Sequence, residues 1–129
     1  MIFLVEVGKM PKVIHFETFA KDSERAVKFY QSVFGWQAKK YGIKDYWLVK
    51  AGEDKEMGIN GAISGVRSFK GTINTISVLS YEEAAKKIVE AGGKILSPKT
   101  AVPGIGYMSY CKDTEGNVFG IMQTDSKAK

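Results

Sequence analysis

Between Asp22 and Gly35 apolar residues recur at Ala26, Val27, Tyr30, Val33 and Phe34, the i, i+3, i+4, i+7 spacing of one helix face. Asp22 or Ser23 supplies the N-cap, and Glu24 sits near the positive end of the helix dipole. Gly35 ends the segment as a C′ glycine does. The pattern returns after Ser80, where Ser80 to Glu83 fits a capping box whose Glu83 carboxylate reaches back to the cap N–H. Ala84, Ala85, Ile88, Val89 and Ala91 form its apolar stripe, and Gly92-Gly93 stops it. The remaining segments carry the β-branched and aromatic bias of strands. Val13 to Phe19 precedes the first helix and Thr72 to Val78 the second. Strands are predicted near Trp36 to Lys40, Tyr46 to Lys50 and Gly58 to Ser64 in one half, and near Lys94 to Ser97, Tyr107 to Lys112 and Val118 to Gln123 in the other. Turn residues divide them at Gly52 to Glu56, Pro98, Pro103-Gly104 and Thr114 to Asn117.

The two halves repeat each other. A shift of 58 residues lays Asp22 on Ser80, Ala26 on Ala84, Tyr30 on Ile88 and Gly35 on Gly93, and a shift of 59 lays Ile59 to Ile63 on Val118 to Met122. Strand, helix and three strands therefore occur twice, with a seam at Lys70-Gly71. The predicted fold class is α+β: two tandem βαβββ modules in one domain, about 12–66 and about 70–124, with 1–11 as an N-terminal extension or an extra strand. One helix covers only one face of a module's sheet. The uncovered faces are expected to enclose a cavity, within the chain or across a dimer, of the kind in which small ligands sit.

Composition narrows the function. The 129 residues fit one domain, with 44% hydrophobic and 26% charged residues, ordinary globular values. Cys111 is the single cysteine, so an internal disulfide framework is excluded, and a reducing, cytoplasmic compartment is expected. The apolar run at the N-terminus is too short for a signal peptide, and no segment approaches the roughly 20 apolar residues of a membrane span, so no membrane partner is expected. The net charge of +5 comes from lysines spread from Lys9 to Lys129 among acidic residues. Nucleic-acid binders cluster such charge on one face, so a solvated surface is the reading and no nucleic-acid partner is expected. No Gly-x-Gly-x-x-Gly links a strand to a helix, which leaves nucleotide binding without support.

His15 to Asp22, followed by Glu24 to Trp36 with its Phe29-Tyr30 and Phe34-Gly35 pairs, resembles the opening of the vicinal oxygen chelate superfamily. That group holds glyoxalase I, bleomycin-resistance proteins, extradiol dioxygenases and methylmalonyl-CoA epimerase. Asp113 to Phe119 is similar to its Asp-Pro-Asp/Glu-Gly-Asn turn, with Thr114 in place of proline, and Pro103 to Tyr107 looks like an uncharacterised glyoxalase-related branch. The resemblance spans about Val13 to Gln123. It implies a half-open barrel of glyoxalase/bleomycin-resistance type, and it is specific for fold rather than activity.

Metal-dependent members of that family carry His or Gln in the first strand and Glu in the last strand of each module. The ion acts there as a Lewis acid on neighbouring substrate oxygens. Carried onto this chain, the first position falls on His15. The second falls near Ile73, beside Thr72 and Asn74; the last-strand positions fall on Gly120 and on Gly61 or Asn60. One ligand of four is kept, where a zinc or nickel site needs at least three. No cofactor is therefore expected and a divalent metal is disfavoured, the open alternative being a site that a dimer partner completes.

His15 and Glu17 share a strand face. As a pair they are candidate catalytic residues, with Glu17 positioning a histidine whose ordinary pKa near ~6.5 suits proton transfer. Equally, they are structural, His15 bonding neighbouring strands and Glu17 meeting a lysine. Candidate ligand-binding residues are Trp47, Asn60, Thr75, Tyr107, Tyr110 and Met122. Alternation lets only one of Tyr46 and Trp47 face the cavity, and the register between them stays open. Cys111 reads as a small buried residue, since no histidine or helix N-terminus lies near it in sequence to activate it. Two functions follow. One is a small-molecule-binding protein without a complete metal site, like the dimeric bleomycin-resistance proteins that sequester a drug between aromatic walls. The other is a divergent glyoxalase-like lyase or isomerase, related to lactoylglutathione lyase, with His15 as general base or metal ligand. A ligand-sensing regulatory module is a third class, for which the sequence offers no DNA-reading helix.

Overall fold

The computed structural model describes residues 11–65 and 71–129. Their elements are β1 (Val13–Phe19), α1 (Ser23–Phe34), β2 (Gln37–Lys40), β3 (Tyr46–Lys50), β4 (Gly61–Ser64), β5 (Gly71–Ser77), α2 (Tyr81–Glu90), β6 (Lys94–Ile95), β7 (Thr100–Val102), β8 (Gly106–Lys112) and β9 (Val118–Thr124). The α+β class and the twofold βαβββ order are as expected. The N-terminal residues 1–10 and the Lys70 side of the seam lie outside the described residues. None of the described helices is long and apolar enough to cross a membrane.

The chain divides into two compact units, Ile14–Ile73 and Asn74–Lys129, the second taking in the described residues 11–13. In the first, the strands run in the order β2-β3-β4-β1, with β1 parallel to β4 and the other pairs antiparallel. Asp22 caps α1 by accepting the Arg25 N–H at 3.1 Å, and Gly35 closes it in the left-handed region at φ 71°. The helix lays Val27 on Val49 and Ile63, with Ala26, Tyr30, Ala38, Trp36 and Trp47 around them. Tyr30 stacks on Trp36 at 4.7 Å, and Phe16 meets Trp36 at 5.8 Å. Phe16, Trp47, Val49 and Ile63 thus mark the helix-covered face. By alternation, His15, Glu17, Tyr46, Leu48, Lys50 and Ala62 occupy the opposite one.

In the second unit β9 pairs in parallel with β5 and antiparallel with β8, and β6 and β7 both pair with β8. Ser80 caps α2 by accepting the Glu83 N–H at 3.2 Å, half of the predicted capping box. Tyr81, Cys111 and Ile121 form the core under α2, with Ala84, Ala85, Ile88, Ile95 and Phe119 packed against them. The Asp113 carboxylate accepts the N–H groups of Glu115 at 2.9 Å and Asn117 at 2.8 Å, which fixes the β8–β9 turn.

Three details depart from the pattern. β7 is an added strand where only a turn region is predicted. β4 begins at Gly61 rather than Gly58, and just beyond the last β3–β4 pair the Ala51 N–H donates to the Asn60 side-chain oxygen at 2.9 Å rather than to a ladder carbonyl. The last-strand offset is 58, not 59: Glu17 pairs with Ala62, and Thr75, 58 residues on, pairs with Gly120. Ala62 is therefore the first-module counterpart of Gly120, in place of Gly61 or Asn60.

Candidate functional site

The open face of the first unit carries a depression of about 490 Å³, within the range of small-ligand sites. Its side chains include His15 from β1, Gln37 and Lys39 from β2, Leu48 and Lys50 from β3, and Asn60 ahead of β4. The strand registers dictate that membership. Gln37 lies opposite Lys50 and Lys39 opposite Leu48, so four cavity side chains come from two facing pairs. His15 precedes the Phe16–Gly61 pair, which sets it beside Asn60.

His15 Nε2 lies 3.2 Å from the Tyr46 hydroxyl. Tyr46 belongs two strands away, on β3, where it lies opposite Ser64 of β4, and both Ser64 and Ala62 of that strand are buried. Burial lowers the His15 pKa from its ordinary 6.5, and the nearby Glu17 carboxylate opposes that shift more weakly. The imidazole is thus neutral at neutral pH. It either accepts the Tyr46 proton at Nε2 or donates its own to the phenol oxygen, according to tautomer. Glu17 follows His15 on the same face and is buried at 6% exposure.

Trp47 stands apart from the depression. It lies on the helix-covered face, packed into the Val27–Val49–Ile63 core, and its indole N–H donates to Ser23 Oγ at 3.2 Å. Ser23 in turn donates to the Asp45 carboxylate. The indole has a hydrogen-bond partner beneath α1, which explains its choice of face; Tyr46 takes the open face instead. Tyr107 also stands apart from that depression. It alternates with Ser109 and Cys111 on the α2 side, and the Lys99 ammonium sits 4.9 Å from its ring and 5.3 Å from that of Tyr81. Thr75, Tyr110 and Met122 fall on the face turned from α2: Thr75 and Tyr110 both pair with Gly120, and Met122 pairs with Ser77 and Met108. The first-unit depression therefore unites His15 and Asn60, while Thr75, Tyr110 and Met122 belong to the second unit. Sequence reasoning missed Gln37, Lys39, Leu48 and Lys50. The signal was there: they alternate with Ala38 and Val49, which bury under α1.

The metal ligands implied by the resemblance do not fit these residues. His15 is the one donor among the carried positions. Where the last-strand glutamate would stand, a Cβ on Gly120 would come within 2.7 Å of Thr75 Oγ1, so the site is filled. Among the described residues no three of His, Cys, Asp and Glu stand together as an ion would need. Cys111 is fully buried, and desolvation pushes its thiol up to about 11. It is an inert core residue.

No curated protein matches the chain by sequence. Solved structures share its fold at low identity. A glyoxalase/bleomycin resistance protein/dioxygenase superfamily member from Vibrio splendidus 12B01 superimposes with a TM-score of 0.66 at 15% identity, covering 88% of this chain and 99% of that one. A hypothetical protein of Bacillus halodurans C-125 gives 0.65 at 13% identity, over 94% and 99%. A Streptomyces coelicolor methylmalonyl-CoA epimerase variant in complex with 2-nitronate-propionyl-CoA gives 0.64 at 11% identity, over 92% and 97%. The sequence profile of the Glyoxalase/Bleomycin resistance protein/Dioxygenase superfamily matches residues 12–121, and the chain belongs to that superfamily.

Proposed function

We propose that the chain binds a small organic molecule in the depression on the open face of its first module, without a resident metal ion. The His15–Tyr46 contact carries the reading. A neutral imidazole at the wall of a cavity that Leu48 also lines, held from behind by the Tyr46 phenol, forms a fixed polar anchor for a ligand carbonyl or hydroxyl. The missing donors at Ile73, Ala62 and Gly120 support the metal-free part. Phe29, Val33 and Phe34, more than half exposed along α1, support self-association as a homodimer. The lone cysteine supports a cytoplasmic location.

A second reading, a divergent lyase or isomerase, draws on the lowered pKa of His15. A neutral imidazole near a substrate proton is competent as a general base, and Tyr46 would fix its orientation. A thermal-shift screen with hydrophobic antibiotics, glutathione adducts and acyl-CoA compounds tests both. The expected hit raises the melting temperature of the parent, and raises it less in Leu48→Glu and His15→Ala. A hit that stabilises all three equally places binding elsewhere. Full turnover of a hit by His15→Ala would end the catalytic reading.

A further inference from the structure

Two cations line the depression with nothing to neutralise them. Lys39 and Lys50 stand on the same face of the β2–β3 ladder, diagonal to each other across the intervening Ala38–Val49 pair. Neither has an ion-pair or hydrogen-bond partner among the described residues, whereas Lys86 and Lys99 pair with glutamates. The other polar side chains of the depression, His15, Gln37 and Asn60, bring no negative charge. Glu17 shares the face but is buried beyond the cavity wall, beside Ala62. The lysine stems and Leu48 give an apolar surface below the two ammonium groups. A ligand that satisfies all of this has an apolar body, an anionic head at the lysines and a neutral polar group toward His15 and Tyr46.

We infer that the depression selects a small organic carboxylate over its uncharged analogue, with Lys39 and Lys50 as the specificity-determining residues. The inference rests on the proposed binding site and adds the charge of its ligand. Lysines serve as point charges for an anion that keeps part of its hydration. The selectivity is therefore moderate and weakened by salt.

The probes are 4-phenylbutyrate and its neutral amide, 4-phenylbutyramide, titrated by calorimetry into the full chain at low and high salt. The carboxylate is expected to bind roughly five- to tenfold more tightly than the amide at low salt, the factor that one or two exposed ion pairs supply. The double variant Lys39→Gln/Lys50→Gln binds the two probes alike, and Lys39→Arg/Lys50→Arg restores the preference. Equal affinity of the parent for both probes overturns the inference, as does a preference that survives the glutamine variant. If both probes bind the parent with equal affinity and both are lost in Leu48→Glu, the binding site stands and only its charge selectivity falls. If neither probe binds the parent, site and selectivity fall together. The lysine side chains are exposed, and circular dichroism confirms that the variants fold.

Discussion

His15 is the single histidine of the chain, so its protonation can be read without interference from another imidazole. Burial lowers its pKa in the folded protein below 6.5, while the unfolded chain keeps the ordinary value. The unfolded state thus takes up the proton first as pH falls. Stability from this group is fully present above about pH 6.5 and is lost progressively down to the folded pKa. The groups facing the ring are Glu17 on its own strand, Tyr46 and Lys50 on β3, and Asn60 ahead of β4. Only Glu17 pulls the pKa upward, and burial outweighs it. The proton NMR signal of the imidazole is expected to titrate with a midpoint below 6.5. Chemical unfolding between about pH 7 and 5 should show a stability decline that His15→Gln flattens; a midpoint above 6.5 would refute the assignment. The same residues show where sequence stops. Alternation places His15 with Glu17, but it treats Tyr46 and Trp47 as equals. Ser23 breaks the tie by accepting the indole N–H beneath α1, a partner 24 residues away.

At the scale of elements, helices and most strands follow from local pattern because each cap and stripe is written in adjacent residues. Asp22 and Ser80 cap as expected, and Gly35 turns left-handed as expected. β7 escapes because Thr100–Val102 is three residues long between two prolines, and pairing with β8 is what makes it a strand. The cavity lysines escape for a related reason. Lys39 and Lys50 look like ordinary surface charge until the β2–β3 register brings them to one depression. The β5–β9 contact is likewise a tertiary matter, and it supports a mutational prediction. Gly120 has no side chain because Thr75 fills the space: an added Cβ would meet Oγ1 at 2.7 Å and Cγ2 at 3.5 Å. Gly120→Ala is expected to cost about 1–3 kcal/mol, the usual penalty of overpacking a close contact. Thr75→Ala removes the obstructing atoms, so the double variant should be more stable than the two single losses add up to. Denaturant melts of the four proteins measure the coupling. Simple additivity would mean that Thr75 is not what excludes a side chain at position 120.

For the whole molecule, duplication is the most legible feature of the sequence and also the one that constrains its chemistry. An offset of 58 carries Asp22 to Ser80 and the Glu17–Ala62 pair to Thr75–Gly120, so equivalent places in the two modules can be compared donor by donor. The first-strand places hold His15 and Ile73, and the last-strand places hold Ala62 and Gly120. Three of these four offer no side-chain lone pair, and the fourth, His15, already meets a phenol. An ion held by one imidazole would be too weakly bound to matter to folding. Saturating a true site at a hundred times its dissociation constant contributes about 2.7 kcal/mol, which for a chain this long moves the melting temperature by several degrees. Removing metal with EDTA is therefore expected to leave the melting curve unchanged, and adding zinc, nickel or manganese to the stripped protein should not raise it. A chelator-induced drop of several degrees, reversed by one of those ions and absent in His15→Gln, would show that other groups complete a site around His15. Dependence on His15 separates that outcome from adventitious binding by surface carboxylates, which would survive the substitution.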